Sequence, residues 1–207
     1  MKVSIISGSP VPPVWERLDP DSRIICADSG YDHCLAAGVK PDAVLGDWDS
    51  VKNPLPGDDV TFVSKNNQDD TDTYFALSYA FSIGATEVDF FSCIGDRIDH
   101  TLANISLLLT CKEKGVKAKI IDPKNIVFLM ENESVVITPI QGMEGFSLLP
   151  VFDRTVSGVS IEGARYELDN VILKARTPLA VSNEFVNGQP VTLTVREGVL
   201  LVIQFCD

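Results

Sequence analysis

The chain has 207 residues, 45% of them apolar, which suits one large or two small packed domains. Its formal charge of -12 argues against nucleic acid or an anionic membrane as the main partner, because both demand a surface rich in Lys and Arg. An anionic substrate would need a metal ion as mediator.

Residues 3–7 read as a buried strand ending at Gly8, and 24–27 as a second ending at Asp28-Ser29-Gly30. Prolines at 10, 12, 13 and 20 argue against a long helix between them, leaving room for a short one at 14–18. Residues 31–37 have helical composition and end at Gly38. Strands at 43–45 and 61–63 deliver Gly46-Asp47-Trp48-Asp49-Ser50 and Gln68-Asp69-Asp70-Thr71-Asp72. Thr71 or Asp72 caps a helix over 73–83, apolar almost all round and so expected to be well buried, which Gly84 ends. A strand at 87–93 leads into Gly95-Asp96-Arg97-Ile98-Asp99-His100. The helix expected at 98–114 carries Ile98, Leu102, Ile105 and Leu109 as a core-facing stripe, and a strand at 117–122 closes the series.

Beyond about residue 125 the pattern changes. Short runs at 126–129, 134–137, 146–150, 156–161, 171–175, 179–182, 190–195 and 200–205, separated by Gly, Pro, Asn and Asp, predict a β-sandwich or barrel. The boundary falls near Asp122-Pro123-Lys124-Asn125, giving an α/β domain over 1–124 and an all-β domain over 125–207.

Thirteen of the 19 aspartates lie between Asp28 and Asp99. In an α/β fold the three polar clusters sit at strand-to-helix turns on one sheet edge, where open sheets bind ligands. Asp47 and Asp49 alternate in an extended segment, and two carboxylates that close repel unless a cation lies between them. Magnesium is the natural cation, taking a few carboxylates plus waters and phosphate oxygens; Asp72, at a helix start, is the third candidate ligand. Arg97 offers charge-assisted bonds to phosphate, and His100 shares a helix face with Asn104. Taken singly, each cluster is also what a solvated turn or helix cap looks like.

The five cysteines are scattered and form no CxxC, and two histidines do not suggest zinc. Met1 opens directly into a strand pattern, with no signal-peptide pattern and no apolar run near the ~20 residues of a membrane span. A cytoplasmic protein with reduced thiols is expected. There is no P-loop or dinucleotide fingerprint.

As an ordered set, Ala27-Asp28-Ser29-Gly30, Pro41-Asp42, Gly46 to Ser50, Gln68 to Asp72 and Gly95 to His100 with Asn104 resemble thiamine pyrophosphokinases (thiamine diphosphokinases). Gly163-Ala164-Arg165-Tyr166-Glu167-Leu168 and Ser182-Asn183-Glu184-Phe185 extend the resemblance through the second half. It implies a Rossmann-like α/β domain followed by a β-sandwich that binds thiamine, and transfer of the terminal diphosphate of ATP to the thiamine hydroxyl, giving AMP. By position, Asp47, Asp49 and Asp72 would hold Mg²⁺ with Gln68 beside them. Ser29, Gly30, Arg97, Asp99, His100 and Asn104 would line the ATP side, and Ser182 and Asn183 would contact thiamine at a homodimer interface. Some relatives carry a tryptophan in the last strand where this sequence has Leu200-Leu201-Val202. The competing readings are a magnesium-dependent phosphohydrolase or nucleotidyl transferase, and a nucleotide- or metal-sensing module without turnover.

Overall fold

The structure, a computed structural model, describes residues 1–47, 60–65, 69–140 and 142–206. The chain is of mixed α/β class and divides into two compact units, Met1–Pro123 and Lys124–Asp207. In the first, the elements run β1 (Lys2–Ile6), β2 (Arg23–Ala27), α1 (Gly30–Ala37), β3 (Ala43–Gly46), β4 (Thr61–Ser64), α2 (Asp72–Ser82), β5 (Glu87–Phe91), α3 (Ile98–Glu113) and β6 (Lys117–Ile121). Their pairings are all parallel, in the order β6-β5-β1-β2-β3-β4. The chain therefore leaves β1 toward β2 and later returns to β5 on the other side of β1. Parallel strands are covered on both faces, which explains the unbroken apolar runs: Val3, Ile5 and Ile6 of β1 and Val88, Phe90 and Phe91 of β5 are fully buried. Ser4, buried within β1, is satisfied by Ser22 Oγ at 2.7 Å.

The strand expected at 87–93 stops at Phe91, because Ser92 turns into the left-handed region (φ +53°). Between β1 and β2 the expected short helix is one 3-10 turn, Trp15–Arg17. Thr71 caps α2, its hydroxyl accepting from the Tyr74 amide at 3.2 Å. Only one face of α2 is buried, through Thr73, Ala76, Leu77 and Ala80; the expected all-round burial is not found, and Tyr74 is exposed.

The apolar stripe expected on α3 is also corrected. Ile98 and Leu102 are 73% and 59% exposed, while the buried positions are Asn104, Leu107, Leu108 and Cys111. Two overlapping stripes have helical spacing, and periodicity cannot choose between them. The choice fits Asn104, whose amide Nδ2 donates to the Cys93 carbonyl at 2.9 Å and turns that face of the helix inward.

In the second unit β7 (Asn125–Glu131), β8 (Ser134–Ile137), β9 (Gly145–Leu149), β10 (Thr155–Glu162), β11 (Leu168–Lys174), β12 (Asn183–Glu184), β13 (Val191–Thr194) and β14 (Val199–Phe205) pair antiparallel in two orders, β12-β9-β14-β7 and β11-β10-β13-β8. Met130, Phe146, Leu148 and Leu200 from the first set and Val159, Leu173, Val191 and Leu193 from the second share one apolar cluster. The strand expected at 179–182 is absent: Leu179 and Val181 are exposed, Ser182 is left-handed (φ +60°), and pairing begins at Asn183. Among the described residues no helix is long and apolar enough to cross a membrane.

The corrected face of α3 is testable by chemical denaturation. Leu108→Ala should cost about 2–5 kcal/mol, whereas Leu102→Ala should stay within about 0.5 kcal/mol of wild type.

Candidate active site

A cavity of about 400 Å³ opens at the carboxyl ends of β1, β2 and β5. That is the point where the strand order reverses, the place at which open parallel sheets bind ligands. Its wall is formed by Ser7 to Pro10 after β1, Ala27 to Ser29 at the end of β2, Ser92, Cys93 and Gly95 to Arg97 after β5, the start of α2, and His100, Thr101 and Asn104 of α3. The β1–β5 pairing continues beneath it, Ser7 N donating to Phe91 O at 2.9 Å and Ser9 N to Ser92 O at 3.0 Å. Ser7 Oγ lies 3.0 Å from Thr73 Oγ1 and 3.2 Å from Cys93 Sγ, tying the first turn of α2 to both strands. Burial pushes the Cys93 thiol up to about 12, so it lines the cavity as a neutral group rather than a nucleophile.

Among the residues expected on the nucleotide side, Ser29, Arg97, His100 and Asn104 line the cavity. Gly30 lies beneath it. A Cβ there would meet the Ile6 carbonyl oxygen at 2.0 Å, so α1 packs directly on the end of β1 and sets Ser29 at the rim. Asp99 is outside the lining, held by Arg97 through Nε at 2.9 Å and Nη2 at 2.6 Å. That bond with the guanidinium holds the Asp99 carboxyl well below the usual carboxylate range. Both side chains are exposed, so the pair orients the guanidinium at the cavity mouth more than it stabilises the fold. Asn104 acts by fixing the loop that follows β5, through its bond to Cys93 O.

Of the expected metal ligands, Asp72 lines the cavity at the head of α2 and Asp47 follows β3 without lining it. Asp49 and Gln68 lie outside the described residues. Asp72 Oδ1 is 3.1 Å from Lys65 Nζ, and the lysine side chain is only 5% exposed. Lys65 also donates to the Asp70 carbonyl, so it ties the residue after β4 to the start of α2. The sequence reading missed Lys65, as it missed Ser7, Gly8 and Ser9; a strand running into Ser-Gly-Ser was the available signal. Among the described residues no three His, Cys, Asp or Glu side chains are grouped closely enough to hold a metal. Hard carboxylates at one sheet edge still fit magnesium, which uses one or two protein carboxylates and completes its shell with water and phosphate.

In the second unit Ser182 borders two cavities. The larger, about 750 Å³, is walled by Met143, Glu144, Glu184, Phe185 and Phe205 among others; the smaller, about 110 Å³, also includes Tyr166 and Asn183. The Asn183 carboxamide accepts from Tyr166 N at 3.0 Å and donates to Tyr166 O at 2.8 Å. It is buried and pins the 165–166 segment, while Ser182 N donates to Ser147 Oγ at 3.0 Å.

Residues 14–120 match the family model for the thiamin pyrophosphokinase catalytic domain, and residues 134–200 the model for its vitamin B1 binding domain. Thiamine pyrophosphokinase of Bacillus subtilis is 25% identical over 99% of both chains. Its crystal structure superposes with a TM-score of 0.88 over the whole of each chain, and that of thiamin pyrophosphokinase from Geobacillus thermodenitrificans, 26% identical, with 0.87 over 100% of this chain and 98% of the other. Both domain matches, together with the relative that spans the whole chain, define an enzyme of the transferase class. The chain belongs to the thiamin pyrophosphokinase family.

The packing of α1 on β1 supplies a direct check. Gly30→Ala should destabilise the protein by about 1–3 kcal/mol through overpacking, lowering the melting temperature by roughly 2–4 °C per kcal/mol for a chain of this size.

Proposed function

We propose that this protein transfers the terminal diphosphate of ATP to the primary hydroxyl of thiamine, producing thiamine diphosphate and AMP. The observation that carries this reading is the cavity at the sheet's reversal point, with Asp72 and Arg97 in its wall. In fold terms we read the first unit as Rossmann-like and the second as a β-sandwich. The expected homodimer belongs to the same reading, supported by the exposed Val136, Ile172, Leu179 and Val181 of the second unit.

In the proposed reaction the thiamine oxygen forms a bond to the β-phosphorus. The bond from that phosphorus to the oxygen bridging α and β breaks, the bridging oxygen leaves with AMP, and the hydroxyl proton passes to solvent. Nearly all the protein can contribute is positioning and electrostatics. Arg97, oriented by Asp99, meets anionic oxygen at the mouth of the cavity. Ser29 at the rim and His100 on α3 place the nucleotide, with Asn104 holding the loop between them. Asp47, Asp49 and Asp72 would hold Mg²⁺, with Gln68 beside them. Held there, the ion would supply charge neutralisation to the phosphates.

For thiamine, the larger cavity of the second unit offers Phe185 and Phe205 as ring faces and Glu144 and Glu184 as anions, a match for a cationic heteroaromatic. Ser182 is at its edge. These phenylalanines take the part of the tryptophan that the last strand lacks.

Purified protein should yield AMP and thiamine diphosphate in equal amounts, only with thiamine and magnesium present. ADP, or nucleotide breakdown without thiamine, would contradict the proposal. Asp72→Asn and Asp47→Asn should each lower kcat by roughly a hundredfold or more (~2.7 kcal/mol) while the protein stays folded. Phe185→Leu keeps the apolar packing but removes the ring face. It should raise KM for thiamine about three- to tenfold, as expected for losing a cation–π contact, and leave KM for ATP unchanged.

A further inference from the structure

Ser92 is the first residue beyond β5, at the reversal point of the sheet, and it combines two features that each carry a cost. Its backbone is left-handed, with φ +53°. A side chain there is disfavoured, and glycine would make the same turn without that penalty. The residue is also 5% exposed, yet its hydroxyl has no hydrogen-bond partner among the described residues. Leaving a buried polar group unsatisfied adds the cost of its lost hydration. The turn requires the left-handed backbone but neither the side chain nor its hydroxyl.

The surroundings say where the hydroxyl is used. Ser92 lines the 400 Å³ cavity. Its backbone is anchored by the Ser9 amide, which donates to its carbonyl at 3.0 Å, and the following residue is clamped by Asn104. The backbone that carries the side chain is therefore held from both β1 and α3. The neighbouring hydroxyls of Ser7 and Ser9 are already committed, to Thr73 and Cys93 and to the Ile94 carbonyl respectively. A strained, buried and unsatisfied side chain in a ligand cavity points to a contact completed by the ligand.

We infer that Ser92 is a nucleotide-contacting residue, its hydroxyl forming a hydrogen bond to the nucleoside triphosphate held in this cavity. The inference rests on the diphosphate-transfer reading above. It assigns a binding role to a side chain that, by type and position in sequence, gives no sign of one.

The test is calorimetric binding of a non-hydrolysable ATP analogue with magnesium to the full-length wild type, Ser92→Gly and Ser92→Ala, alongside KM for thiamine and melting temperature. Both variants should bind the analogue about tenfold more weakly, the loss of one hydrogen bond. KM for thiamine should not change, and Ser92→Gly should melt no lower than wild type because it relieves the backbone. Wild type that makes thiamine diphosphate while Ser92→Gly binds the analogue within twofold of it overturns this inference alone. So does weakened binding in Ser92→Ala with normal binding in Ser92→Gly, which would trace the effect to the backbone. Wild type that binds no nucleotide overturns the proposed function, and this inference with it.

Discussion

The parallel pairing of β1 with β2 on one side and β5 on the other is the constraint on which the candidate site depends. Because the chain departs from β1 in one direction and returns to it from the other, the connections after β1 and β5 diverge. The side chains between them are left facing a cavity. Ser7 to Pro10, Asp28 and Ser29, Ser92 and Cys93, and Gly95 to Arg97 are brought together in this way. The fit at this point is close: α1 rests on the Ile6 carbonyl at Gly30, and Asn104 binds the backbone of the loop after β5.

The charge around this cavity is unevenly divided. Arg97 is exposed at the mouth and already paired with Asp99, whereas Lys65 is buried and attached to Asp72. Neither arrangement offers much free positive charge to a triphosphate, in a chain whose net charge is -12. In the proposed reaction a divalent cation would therefore supply much of the positive charge, and hydroxyls in the cavity wall would do the finer positioning. Lys65 keeps the start of α2, and with it Asp72, in place.

Much of the first unit was legible in the sequence because parallel strands write themselves as short apolar runs ending in Gly or Asp. Gly38, Gly84 and Gly115 punctuate the helices where expected. What failed was whatever depends on partners distant in sequence. The rotation of α3 follows Asn104 reaching Cys93, and two competing apolar stripes concealed it. Residues 179–182 have the composition of a strand, but Leu179 and Val181 face outward and only Asn183 and Glu184 pair. In the cavity wall, Asp72 and Arg97 stood out in the sequence, whereas Ser92, and Lys65 paired with Asp72, did not. A lysine near a turn and a serine after a strand are ordinary until burial and backbone conformation are known. Asn183 was legible as a special residue, but its carboxamide is engaged with Tyr166.

The central claim is that a diphosphate unit moves intact from ATP to thiamine. The most direct measurement is to follow ATP labelled separately at the α- and γ-phosphorus through one turnover with thiamine and magnesium. The account predicts all γ-label in thiamine diphosphate and all α-label in AMP, in equal amounts. Label from the γ position in inorganic phosphate or in a thiamine monophosphate, or α-label in ADP, would contradict it.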